Sequence, residues 1–173
     1  SRPFHVLLTR PLGQSQKTAE WIESEGGVAH IHPCLVVEPS DPQPVQQAMA
    51  DLSRFSAVAL TSVHAARALI PFWPTDRKTP PVFVLGRKTA EPLLQAGLVP
   101  AQIVDGEAAT AQTLAVVLRD ALQATNKPVL FPQAAEGREE LPTLLAASAI
   151  DVQKVTAYRT VAATKESLRP AIS

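Results

Sequence analysis

Four short stretches of this 173-residue chain carry polar groups able to do chemistry: Thr9-Arg10-Pro11, Thr61-Ser62, Gly86-Arg87-Lys88-Thr89-Ala90 and the segment 131–138. Each follows an apolar run, the position where an open parallel sheet presents loops and helix N-termini to a ligand. Together they would form a rim of hydroxyls and N–H donors, with Arg10, Arg87, Lys88 and Arg138 nearby. That chemistry suits a ligand bearing several carboxylates or phosphates. Thr, Ser and Gly are also what a strand-to-helix turn requires, so each stretch has a simple structural explanation as well. Thr89 shows the choice most clearly. If it caps a helix, Ala90, Glu91 and Pro92 fill the first three positions, and Pro92 lacks one of the N–H groups a cap takes up. Its hydroxyl would then be freer to meet a ligand.

Other site signatures are missing. The sequence holds no Gly-x-Gly-x-x-Gly, no phosphate-loop lysine, no His-Glu-x-x-His and no Gly-x-Ser-x-Gly. His30 and His32 share one face of an expected strand, but no third ligand stands at metal spacing, so surface or loop histidines are expected. Cys34, the single cysteine, allows neither an internal disulfide nor a cysteine-based zinc cluster, and reads as a small buried residue. Trp21 and Trp73 read as packing residues on helices.

The elements that must hold the four stretches alternate short apolar runs with helical periodicity, the pattern of βαβ units and a mostly parallel sheet. Strands are expected at residues 6–9, within 28–37 with an interruption at Pro33, and at 57–60, 82–85, 103–104, 129–131 and 152–158. Helices are expected from Gln14 to Glu25, stopped by Gly26-Gly27, then from Asp41 as cap with Pro42 first, and over 63–72 and 90–96. Leu114, Val117, Leu118, Ala121 and Leu122 form the clearest helical stripe, and Leu141, Leu144 and Leu145 mark another. From Ala162 a polar stretch leads into one more possible helix.

Composition narrows the class. Sixteen basic residues balance sixteen acidic ones, which argues against a broad nucleic-acid footprint. No apolar run approaches the ~18 residues a membrane span needs, and the N-terminus lacks a signal-peptide pattern. A cytoplasmic globular protein is the expectation, with no metal, no organic cofactor, no nucleic acid and no membrane among its partners.

Taken in order, these residues resemble the uroporphyrinogen-III synthase family. The resemblance rests on Thr9-Arg10-Pro11, Pro33, Leu60-Thr61-Ser62, Gly86 to Ala90, Gly97, Leu130-Phe131-Pro132, Arg138 before Leu141, and Val155 to Thr160. It implies two α/β domains of mostly parallel sheets flanked by helices and joined by a two-stranded linker. Domain 1 would be discontinuous, residues 1–37 plus 159–173, and domain 2 would be 38–158. Few residues remain for the returning part of domain 1, so the sequence is expected to be a fragment, the ordered part of a longer chain, or a chain completed by another.

The resemblance also implies an activity, that of a cyclising hydro-lyase in heme biosynthesis. Hydroxymethylbilane would lose its terminal hydroxyl as water and close with inversion of the last pyrrole. The substrate supplies its own azafulvene electrophile, so no cofactor is needed and the protein mainly folds the tetrapyrrole for attack. Tyr158 would be the catalytic acid, since a phenol of ordinary pKa about 10 keeps its proton at neutral pH and can pass it to a leaving hydroxyl. A buried tyrosine bonding across the linker is the competing role. Arg10, Ser62, Thr89 and Arg138 would bind the substrate, and the complete protein would be a monomer. A catalytically degenerate homologue that binds a tetrapyrrole or another anion is the alternative. A receiver-type domain needs carboxylates where Thr9, Ser62 and Gly86 stand.

Overall fold

A strand covered by helices on both faces must be apolar throughout, whereas a turn that meets solvent can be polar. The computed structural model follows that rule; it describes residues 2–10, 12–107, 109–122 and 125–163. Pro11 and the possible helix near the C-terminus lie outside the described residues. The elements are β1 His5–Leu8, α1 Leu12–Ser24, β2 Val28–Ile31, β3 Leu35–Pro39, α2 Gln43–Ala50, β4 Ala57–Leu60 and α3 Val63–Leu69. They continue with β5 Val82–Leu85, α4 Arg87–Gln95, β6 Gln102–Val104, α5 Ala111–Ala121, β7 Val129–Ala134, α6 Glu140–Ala146 and β8 Val152–Ala162. Short 3-10 turns occupy Leu52–Arg54 and Ile70–Phe72.

The chain forms two compact units, Ser1–Glu38 with Thr160–Ser173, and Pro39–Arg159. It passes from one to the other within β3 and again within β8. In the first unit β1 and β2 pair in parallel, and α1 packs against them through buried Ala19 and Ile22. Trp21 is 64% exposed on the outer side of α1 rather than packed. Cys34 is exposed, not buried, because Pro33 ends the extended run and leaves the cysteine in the loop between β2 and β3. His5 Nδ1 lies 2.8 Å from His30 Nε2 at the surface.

The larger sheet has the order β3-β8-β7-β4-β5-β6, and the pairs β4–β5, β4–β7, β5–β6 and β7–β8 are parallel. Successive β4 side chains enter different cores. Val58 and Leu60 join Val45, Met49, Leu69 and Leu93 on one face. Ala57 and Ala59 join Phe83, Phe131, Leu114 and Leu118 on the other. The two alanines leave room for both phenylalanines.

Several boundaries move for local reasons. Asp41 Oδ1 accepts from the Gln43 N–H at 3.0 Å, but Pro42, itself in helical conformation, takes the cap position of α2, so the expected Asp41 bond forms one residue outside the cap. Pro71 lacks an N–H, and the expected helix over 63–72 tightens after Leu69 into a 3-10 turn. β7 runs three residues beyond its expected end. Pro132 is tolerated there because β4 pairs with β7 only as far as Leu130. In α5, Leu114 and Leu118 are fully buried as expected, while Ala121 is exposed and Ala115 is buried in its place.

Replacing Leu118 by Ala should lower unfolding free energy by roughly 2–5 kcal/mol through the cavity it leaves. Val116→Ala, on the exposed side of the same helix, should change it by less than about 0.5 kcal/mol. Urea unfolding of both variants checks the pair.

Candidate active site

Chain order fixes where a ligand can sit on the larger unit. From β4 the chain adds β5 and β6 on one side of the sheet, then returns to place β7 on the other side of β4. Crossovers therefore diverge between β4 and β7, and the crevice beyond their carboxyl ends is the expected binding place in an open parallel sheet. A cavity of about 580 Å³ lies there, within the usual range for small-molecule sites. Thr61 and Ser62 after β4, Leu85 at the end of β5, the start of α5 and the segment from β7 to α6 form its walls, with Tyr158 of β8.

Helix starts shape the walls. Ser62 Oγ accepts from the His64 N–H at 3.2 Å and caps α3. Thr110 Oγ1 accepts from the Thr113 N–H at 3.2 Å and caps α5. Gly137 lies against the Gln133 side chain, and a Cβ at residue 137 would overlap that amide. Gln133 Oε1 is buried without a hydrogen-bond partner among the described residues.

Of the residues expected at the site, Ser62, Arg138 and Tyr158 come together around this cavity. Arg138 is exposed and belongs to none of the ion pairs among the described residues. Tyr158 is half-buried, and its hydroxyl makes no hydrogen bond to any described residue. Thr89 does not line the cavity. It is 6% exposed in the first turn of α4, which begins at Arg87 with Gly86 as its cap. Gly86 has φ +85°, a backbone conformation that only glycine adopts without strain, and this starts the helix three residues before the expected position. Thr89 is therefore not a cap: its N–H donates to the Gly86 carbonyl at 3.2 Å, and Pro92 lies well inside the helix. Arg10 belongs to the smaller unit, where its side chain is exposed and its carbonyl accepts from Ser15 Oγ.

Of the expected cations that belong to the larger unit, Arg138 lines the cavity. Arg87 pairs with Asp105 at 3.1 Å, and neither it nor Lys88 lines the cavity. The Gly106 N–H and then Arg87 hold the Asp105 carboxyl below the usual range. Glu136 and Glu140 share the cavity wall with Arg138. His64 is half-buried behind the wall, its ring 5.4 Å from that of Tyr158. Burial, and after it the charge of Arg67, push the His64 imidazole below its ordinary value.

Thr110 and His64 were not foreseen, whereas Gln133 and Gly137 fall within the stretch 131–138 expected at the rim. Thr110 stands immediately before the clearest helical stripe, a capping position that spacing alone marks. Nothing comparable marks His64.

Comparison with known proteins gives this architecture its relatives. A mutant uroporphyrinogen III synthase from the extreme thermophile Thermus thermophilus matches with TM-score 0.67 at 16% identity, covering 92% of this chain and 64% of that one. The wild-type synthase from the same bacterium matches with TM-score 0.61 at 18% identity, over 92% and 63%. The Helicobacter pylori 26695 synthetase matches with TM-score 0.50 at 17% identity, over 98% and 70%. These likenesses are of fold, and the chain spans less than two thirds of the length of the two Thermus proteins. No curated protein matches it significantly. The family model described as HEM4, uroporphyrinogen-III synthase HemD, matches residues 16–173. With that pattern running through nearly all of its length, the chain belongs to the uroporphyrinogen-III synthase family.

Proposed function

We propose that the full-length protein is a uroporphyrinogen-III synthase, a cyclising hydro-lyase of heme biosynthesis. It acts in the cytoplasm as a monomer without metal or cofactor. The observation that carries this reading is the switch-point cavity in which Ser62, Arg138 and Tyr158 meet, in a chain of this family. In this reading its two domains are residues 1–37 with 159–173 and residues 38–158, each bound falling one residue from that of a compact unit.

Cyclisation asks little covalent chemistry of the protein. Tyr158 gives its proton to the terminal hydroxyl of hydroxymethylbilane, which departs as water and leaves an azafulvene on the substrate. The last pyrrole inverts as its bond to the preceding bridging carbon breaks and re-forms at its other α-carbon, a carbon–carbon bond to the former hydroxymethyl carbon closes the macrocycle, and the proton lost from that α-carbon restores the Tyr158 phenol. Arg138 meets a substrate carboxylate with a charge-assisted hydrogen bond. Ser62 contributes through its place on the wall, since its hydroxyl already accepts the capping bond and has its proton left to donate. Arg10 and Thr89 bind substrate in this reading too, although neither lines the cavity of the larger unit.

The full-length protein, given hydroxymethylbilane, should form the isomer with the inverted ring, separable from the uninverted isomer by chromatography. Tight binding of the bilane without turnover would favour the degenerate binding module instead. Tyr158→Phe should lower kcat by roughly 10²–10⁴-fold, the usual contribution of a positioned acid; full turnover in that variant would remove its role. Arg138→Ala should raise KM with kcat nearly unchanged, the signature of binding shared by ground and transition states.

A further inference from the structure

The end of β8 does not keep the register of its beginning. Pro132 faces Val155 and Gln133 faces Thr156, yet Ala134 faces Tyr158, so Ala157 is the extra residue of a bulge. Bulges re-aim side chains and concentrate beside active sites. In a regular strand Tyr158 would share the face of Thr156, because successive side chains alternate. Instead its ring packs on the core that contains Val155 and Ala157, to which α3 contributes Ala65, Ala66 and Leu69. There it meets His64, with ring centroids 5.4 Å apart and planes tilted by 49°. Such a tilted pair is a favourable aromatic geometry.

His64 is itself held in place. It is the second residue of α3, and its N–H donates to Ser62 Oγ, on the same cavity wall as Tyr158. Its neutral form is favoured by burial and by Arg67, and the positive end of the helix dipole acts in the same direction. Among the elements packed on α3, neither α2, β4, β7 nor the turn Ile70–Phe72 carries a titratable side chain; α4 brings Arg87, Lys88 and Glu91, all exposed, and β8, which meets His64 through Tyr158, also carries Lys154, paired with Glu139, and Arg159, both exposed. The tyrosine thus faces an uncharged ring. With no hydrogen bond from its hydroxyl to any described residue, packing is what directs that hydroxyl.

We propose that His64 is the positioning residue of Tyr158: with the β8 bulge, its ring holds the tyrosine so that the hydroxyl faces the cavity. The catalytic consequence rests on the synthase reading above, but the placement does not. Tyr158 is the single tyrosine of these 173 residues, so its ring can be followed in the full-length protein by tyrosine-selective ¹³C NMR, the signal assigned by its loss in Tyr158→Phe. His64→Ala should shift that signal and lower kcat by roughly tenfold or more at nearly constant KM, as misplacement of a catalytic group does. His64→Phe, which keeps an aromatic ring, should restore both to within about twofold. An unmoved Tyr158 signal in a folded His64→Ala protein overturns the proposal, and so does a His64→Phe variant as impaired as the alanine. A third readout is stability against pH. The unfolded chain holds the His64 proton more tightly than the folded one, so unfolding free energy should fall as pH drops from about 6.5 toward the lower folded value. His64→Phe should lack that slope, and an unchanged slope would count against a buried imidazole. If Tyr158→Phe cyclises at full rate while His64→Ala still shifts the tyrosine signal, the acid role fails and the positioning stands.

Discussion

Two-sided burial of β4 is the constraint from which the rest of the larger unit follows. Ala57, Val58, Ala59 and Leu60 have essentially no exposed surface, so no polar side chain can be placed along the strand without losing its hydration. The strand serves two cores at once, its alanines on one face and its larger residues on the other. Its parallel neighbours demand crossovers, and those crossovers must diverge somewhere. They diverge at β4 itself. The first polar residues available after the buried run, Thr61 and Ser62, therefore fall at the mouth of the switch-point cavity. Burial of the strand and placement of the site are one decision made by the sequence.

Helix starts impose the second constraint. Ser62 and Thr110 each take up an orphan N–H of the helix they open, and both also line the cavity. The Ser62 hydroxyl, which accepts the capping bond, still has a proton to donate, while the Thr110 hydroxyl also shares a 3.0 Å hydrogen bond with the Thr113 hydroxyl. Thr89 illustrates the other outcome. Gly86 turns the chain three residues earlier, the helix begins at Arg87, and the threonine that could have been a cap is drawn into the buried first turn.

What could be read from the residues was whatever depended on local pattern. The strand–helix alternation, the strands at 57–60 and 82–85 and the buried Leu114 and Leu118 of α5 come from periodicity and turn chemistry, and these form. Ser62 and Arg138 were legible together because strand ends of a parallel sheet converge on one side, while Tyr158 came from the family resemblance alone. What escaped depended on pairs of residues distant in the chain. Whether Pro132 ends a strand depends on how far β4 extends beside it. The exposure of Cys34 depends on where Pro33 breaks the run. The partnership of His64 with Tyr158 requires a one-residue slip between β7 and β8, and no periodicity announces such a slip.

Charge sets a limit on how this cavity can hold a ligand with many carboxylates. Its wall carries Arg138, but also Glu136 and Glu140, and the whole chain is balanced at sixteen charges of each sign. A cavity lined in this way cannot capture an anion by net attraction. The groups suited to the task are directional ones: the Ser62 and Thr110 hydroxyls, backbone N–H groups at the start of α5, and one guanidinium. Directional donors fix geometry more than they add long-range pull. For the proposed reaction, whose electrophile would come from the substrate itself, geometry is the larger need, because the outcome depends on which carbon reaches the reactive end. A near-neutral cavity rich in oriented donors is thus consistent with a protein that shapes its ligand rather than gathers it from afar.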